Sequence, residues 1–90
     1  MAELMLAEVG ALLSGFGDRS RVTCVLLSAI NSPSFCGDVF VRGLDFTDNG
    51  LELSLLMRGR SWAEVGSRFG ELADSLGSGV VVEDFWLVKT

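Results

Sequence analysis

Carboxylates are the only side chains of this sequence suited to acid–base chemistry, because the chain contains no histidine. Without an imidazole it has no Ser-His or Cys-His nucleophile pair. The closest acidic pair, Glu83-Asp84, falls in a predicted strand, where adjacent side chains point to opposite faces. Asp45 and Asp48 flank a predicted turn, where short acidic side chains bond to the backbone. We therefore interpret these carboxylates as surface and turn residues and predict a protein that is not an enzyme.

Glycines and cysteines form no recognised nucleotide or metal motif in this sequence. Gly15-Phe16-Gly17 continues to Ser20, where a dinucleotide-binding fingerprint needs a third glycine. Cys24 and Cys36 fit no zinc spacing, and no histidine is present to complete a site. Two interpretations of the cysteines stay open: two buried or half-buried thiols, or a single disulfide formed in an oxidising compartment. The sequence thus predicts no cofactor and no metal.

Length and charge restrict the class of protein. Ninety residues with 49% hydrophobic content predict one globular domain over residues 1–90. A net charge of −5 with scattered basic residues argues against nucleic-acid binding, which needs clustered lysine and arginine. No apolar run approaches the ~20 residues of a membrane span, and no basic residue precedes Arg19 as a signal peptide would require. We expect either a cytosolic protein or a soluble piece of a longer, membrane-anchored one.

The N-terminal third carries two helical patterns. Residues 3–16 are predicted to form an amphipathic helix with one apolar face. That face consists of Met5, Val9, Leu12 and Phe16. Residues 20–31 repeat apolar side chains at helical spacing after a capping residue, Asp18 or Ser20, which favours a second helix. The β-branched stretch 22–27 also fits a buried strand, and that alternative stays open.

A hairpin is predicted over residues 38–58. Asn49-Gly50 lies between two apolar runs, and this dipeptide is the preferred centre of a type I′ turn. The resulting register gives two apolar cross-strand pairs, Phe46 with Leu53 and Leu44 with Leu55. A bulge at Gly43 would keep Val39 and Val41 on the same apolar face.

The C-terminal part is predicted as a helix over 62–76 and a strand over 80–88. Ser61 and Glu64 have the spacing of a capping box. One apolar stripe follows along the helix: Trp62, Val65, Phe69, Leu72 and Leu76. The full order of elements predicts an α+β, ferredoxin-like (split βαβ-type) antiparallel sheet. Its helices lie on one face, and the N-terminal amphipathic helix is an addition to it.

This order of elements resembles the soluble ferredoxin-like domain of PilN/GspL-type proteins, the inner-membrane platform components of type IV pilus assembly and type II secretion. The resemblance runs from about Leu12 to Val88. It includes the Asp18-Arg19-Ser20-Arg21 opening, the Asp48-Asn49-Gly50 turn and the Ser61-Trp62-Ala63-Glu64 helix start. It implies a periplasmic domain without catalytic residues that forms homo- or heterodimers with like domains. Membrane contact would come only through a segment absent from this chain.

Three functional hypotheses follow from these patterns. The first is a protein–protein interaction domain of a membrane-anchored secretion or pilus assembly platform, paired with itself or a homologous domain. The others are an ACT-like small-molecule-binding regulatory domain and a cytosolic interaction domain. A mean hydropathy of +0.45 predicts apolar surface left over for an interface. We expect pairing through helix 3–16 or through an exposed edge strand.

Overall fold

The structure is a computed structural model that describes residues 4–77 and 79–89. Its elements are β1 (Met5–Ser14), α1 (Arg19–Ile30), β2 (Val39–Thr47), β3 (Gly50–Gly59), α2 (Trp62–Ser75) and β4 (Val81–Lys89). The strands form one antiparallel sheet in the order β2-β3-β1-β4. Buried residues of both helices join the inward side chains of the sheet in a single core. The predicted α+β class is confirmed, and the topology is compatible with a ferredoxin-like arrangement.

The predicted helix over residues 3–16 is wrong in the described part of the chain. Met5–Ser14 is a strand, and only Glu3 of the predicted range lies outside the described residues. Four alternate residues of β1 are fully buried: Ala7, Val9, Ala11 and Leu13. This period of two, with β3 on one side and β4 on the other, defines a central strand. Long-range pairing has therefore overridden a local pattern that also fits helical spacing.

The predicted helix over 20–31 is confirmed as α1, which excludes the strand alternative. Asp18 is the N-cap, and its carboxylate accepts hydrogen bonds from the backbone N–H of Ser20 (2.8 Å) and Arg21 (3.3 Å). Val22, Leu26 and Ile30 recur every fourth residue and face the sheet. The helix therefore begins at a polar cap and is held to the sheet by one apolar stripe.

The hairpin is confirmed, but its turn is centred on Asp48-Asn49 rather than Asn49-Gly50. Thr47 pairs with Gly50, which is the first residue of β3. Neither central residue has positive φ, so the predicted type I′ turn is wrong. Gly50 itself takes the positive φ, at 133°. The Thr47 hydroxyl accepts from the Asn49 N–H (3.2 Å) and donates to the Gly50 carbonyl (3.1 Å), which closes the turn.

The strand register differs from the predicted one by two residues. Leu44 pairs with Leu53, and Phe46 pairs with Leu51. A shift of two keeps every side chain on its predicted face, so the inward side chains of β3 are buried as expected. The ladder is irregular between Val41 and Gly43, which agrees with the predicted bulge. Leu44 and Phe46 are only half-buried because β2 is an edge strand.

Helix α2 and strand β4 agree with the sequence prediction except at Trp62. The Ser61 hydroxyl accepts from the Glu64 N–H (3.1 Å), which confirms this half of the capping box. The remaining stripe residues are buried: Val65, Phe69, Leu72 and Leu76. Trp62 is 42% exposed. It is the first residue of the helix, before the point where the helix meets the sheet.

One arginine holds the loop between α1 and β2. The Arg68 side chain on α2 donates a hydrogen bond to the Ser34 carbonyl and lies 3.6 Å from the Asp38 carboxylate. Its guanidinium carbon is 5.3 Å from the ring centroid of Phe35, which is buried. The loop therefore contributes a core residue, and α2 fixes its position.

Candidate interaction surface

The sheet has one face that no described element covers. Side chains alternate along each strand, and the helices bury only one of the two faces. Four large apolar side chains on the other face are well exposed: Leu6 (38%), Phe40 (44%), Trp86 (47%) and Val88 (50%). Half-buried Leu12 and Leu56 lie among them on the two central strands. We call this surface the open face.

Trp86 lies over a glycine at the centre of the open face. Gly10 of β1 pairs with Trp86 of β4 on one side and with Ser54 of β3 on the other. A Cβ on Gly10 would overlap the indole, so the ring occupies the space of the missing side chain. Gly43 of β2 pairs with Ser54, and the row Gly43–Ser54–Gly10 is therefore built from small residues.

A groove of about 270 Å³ lies beside the Trp86 ring. Gly43 and Ser54 contribute to its lining. Glycine has no side chain and that of serine is short, so little projects above the backbone of the sheet at this point. Asp45 and Glu52 line it as well. One aromatic residue and two acidic residues therefore belong to the lining of this groove.

The carboxylates beside the groove form an acidic margin of the open face. Asp45 pairs with Glu52 across β2 and β3, and Leu12 separates Glu52 from Asp84 in the same row. Like charges directly opposite each other destabilise a strand pair. Among the side chains that the structure describes, which do not include that of Lys89, none pairs ionically with these three carboxylates. The Arg42 guanidinium lies 3.7 Å from the Glu8 carboxylate instead.

The other acidic residues singled out in the sequence are scattered. The Glu83 carboxylate accepts a hydrogen bond from the Ser14 hydroxyl at 2.5 Å, next to an irregularity in the β1–β4 ladder. Asp48 is exposed and is one of the two central residues of the hairpin turn rather than a flanking residue. Asp45 lies within β2 rather than capping that turn. The structure therefore does not bring these carboxylates together as an acid–base pair.

The two cysteines lie in different elements. Cys24 is on α1 and Cys36 is in the loop before β2. Both are free and exposed rather than half-buried. A disulfide between them stays a prediction for an oxidising compartment.

A second cavity, of about 340 Å³, lies where β1 ends and α1 begins. Its lining includes the Gly15-Phe16-Gly17 turn, Arg21 and residues of the α2–β4 connection. Gly15 has φ of 79°, and a Cβ there would overlap the Gly79 carbonyl oxygen. The two connections can approach this closely because position 15 is glycine, whereas a Cβ on Gly79 would lie 3.4 Å from the Gly15 carbonyl oxygen. The Gly15-Phe16-Gly17 turn is the feature of the sequence that could have indicated this cavity. It does not complete a dinucleotide-binding fingerprint.

No protein family, curated protein or solved structure matches the chain. Among the described residues, neither helix is both long and apolar enough to cross a bilayer. The same residues include no group of three or more acidic or cysteine side chains that could hold a metal ion.

Proposed function

We propose that this chain is a non-catalytic protein–protein interaction domain that acts by homo- or heterodimerisation. The observation that carries the proposal is the open face, which exposes Phe40, Trp86 and Val88 on the side of the sheet opposite the helices. Each of these side chains is about half exposed, so its complete burial stabilises an interface by about half of the roughly 1.5–3 kcal/mol that a fully exposed side chain contributes. Several large exposed apolar side chains on one face, with charged residues among and around them, are typical of interaction sites.

The sheet edges offer a second means of association. β4 is an edge strand, and its exposed residues include Val81 and Val82. Edge strands carry unpaired backbone groups that can pair with another chain. The expected pairing through helix 3–16 no longer applies, because that segment is the central strand of the sheet.

At a finer level, we propose a ferredoxin-like periplasmic domain of a secretion or pilus assembly platform. The strand order and the two helices on one face support the ferredoxin-like part of this proposal. A cytosolic interaction domain could present the same surface. The residues immediately upstream in the native gene product distinguish the two, since a ~20-residue apolar span there indicates a membrane anchor.

Sedimentation equilibrium over about a hundredfold concentration range tests the proposal, because dimers dissociate on dilution by mass action. Phe40→Lys should abolish association by placing a charge in the open face. Leu27→Lys is the matched control, since Leu27 is 43% exposed on α1, away from the open face. The proposal is overturned if the wild-type chain is monomeric throughout and binds no co-expressed platform protein.

The cavity beside Gly15 favours a second candidate, an ACT-like small-molecule-binding regulatory domain. The lining of this cavity offers the backbone groups of a glycine turn, the positive charge of Arg21 and the negative charge of Asp18 to a small polar ligand. A panel of amino acids and nucleotides should then raise the melting temperature, because a ligand that binds only the folded state stabilises it. Arg21→Gln should remove that shift. An unchanged melting temperature across the panel would exclude this candidate.

A further inference from the structure

We infer that the open face binds an extended, basic segment of another protein, with an arginine or lysine in the groove beside Trp86. The basic group contacts the indole and places its charge between Asp45 and Glu52. This inference rests on the proposed function and gives the chemistry of the partner.

The groove is large enough to hold one long side chain. The small residues Gly43 and Ser54 leave space beside the indole of Trp86, in a volume of about 270 Å³. The stem of an arginine or lysine is apolar and packs against an aromatic surface, while its charged end reaches polar groups. A cation near an indole is also attracted by the negative face of the ring.

Charge determines which side chain fits. Asp45 and Glu52 face each other across β2 and β3 without an ion pair in the described part of the chain. A positive group between them replaces a repulsion with two attractions. Arg42 does not serve this purpose, because its guanidinium pairs with Glu8.

The same charges argue against a second copy of this chain as the occupant of the groove. A copy would bring its own Asp45 and Glu52, and each chain carries a net charge of −5. Two acidic faces repel each other at short range. The groove and its acidic margin, rather than the part of the open face that carries Arg42 and Arg58, therefore fit a partner of opposite charge.

The cross-strand pairs of the open face also determine how far apart the contacting residues of the partner must be. Phe40 and Leu56 form an apolar cross-strand pair. On β3, Leu56 is four residues from Glu52, which is roughly 13 Å along a strand. An extended segment places its fourth-neighbour side chain at the same distance and on the same side. The partner is thus an extended segment with an apolar residue and a basic residue four positions apart.

Two synthetic peptides test this inference. The first is acetyl-Ser-Leu-Thr-Val-Thr-Arg-Ser-amide, and the second has citrulline, the neutral analogue, in place of arginine. The protein carries Trp62→Phe so that Trp86 is the only tryptophan and reports binding by its fluorescence. We expect the arginine peptide to bind at least about tenfold more tightly than the citrulline peptide, with an affinity that falls as salt rises.

Two double variants, each of which removes two negative charges, show which carboxylates cause the preference for arginine. D45N/E52Q should remove the preference for arginine. E71Q/D74N, which neutralises two exposed carboxylates on α2, should retain it. All four positions are exposed, and circular dichroism checks that both variants fold.

Three results would overturn the inference: equal binding of the two peptides, an unchanged preference in D45N/E52Q, or binding that leaves the Trp86 emission unchanged. If neither peptide binds but the chain self-associates through Phe40, the occupant is a second copy. The proposed function then stands and the inference fails. If the chain neither binds peptide nor associates with any protein, both fail.

Discussion

Trp86 and Gly10 are directly opposite each other in the β1–β4 pair, and the indole lies where a side chain of Gly10 would be. The glycine is buried although it belongs to the open face of the sheet. The aromatic ring shields the backbone of the central strand, which compensates for the weakness of glycine in a strand interior.

Replacing Gly10 with valine should displace the indole and destabilise the domain by about 1–3 kcal/mol, the usual cost of overpacking. Urea unfolding measures the loss, and the emission of Trp86 in a Trp62→Phe background should shift to longer wavelength. Gly43→Ala is the control, because a Cβ there would lie 3.7 Å from the Ser54 Cβ, an ordinary contact. Similar losses for both variants would contradict this account.

Phe69→Ala should cost roughly 3–5 kcal/mol of unfolding free energy. Phe69 is buried on α2 and stacks on Phe85 of β4, with ring centroids 4.7 Å apart. Chemical denaturation checks the value, and Trp62→Ala should have a much smaller effect since Trp62 is exposed. A Phe69→Ala protein that unfolds at the wild-type midpoint would show that this helix does not supply the main core.

Gly50→Val should destabilise the domain through the backbone. Gly50 has positive φ, and a Cβ there would overlap the Leu13 carbonyl oxygen of the neighbouring strand. A strained residue of this kind costs about 1–3 kcal/mol. Thermal unfolding measures the effect, with Gly17→Ala as the control because a Cβ on Gly17 would have no neighbour within 4 Å. The account fails if Gly50→Val melts no lower than Gly17→Ala.

Arg68→Met should release the loop before β2 from α2. The variant loses the hydrogen bond to Ser34 and the ion pair with Asp38. We expect a loss of about 1–3 kcal/mol and faster amide hydrogen exchange in residues 34–38. Arg60→Met, at an exposed position, is the control. Unchanged exchange in the loop would show that Phe35 holds it without help from the arginine.

Sequence patterns within one segment correctly predicted the elements that are stabilised by interactions within that segment. The cap at Ser61 and the stripe from Val65 to Leu72 determine α2 without reference to distant residues. The hairpin is also local, although its turn depends on which residue takes positive φ. The sequence preference of Asn49-Gly50 does not determine that, because the Thr47 hydroxyl also bonds to the backbone of the turn.

The central strand could not be assigned from its own residues. Met5, Val9 and Leu12 fit helical spacing, and apolar residues such as Leu6 on the outward face obscure the period of two. This segment is a strand because it pairs with two strands that are distant from it in the sequence. The groove was missed for the same reason, since the position of Trp86 over Gly10 depends on the β1–β4 register. Asp45 was assigned to the turn because its partner Glu52 follows only from the hairpin register.

The strand order has a consequence for synthesis of the protein on the ribosome. β1 precedes both of its partners along the chain, and β4 is the last element. The β2–β3 hairpin can close early because its strands are adjacent in sequence, whereas β1 gains its second neighbour only when β4 has emerged. Until then the nascent chain carries an apolar strand with an unprotected edge, which is the kind of segment that chaperones bind.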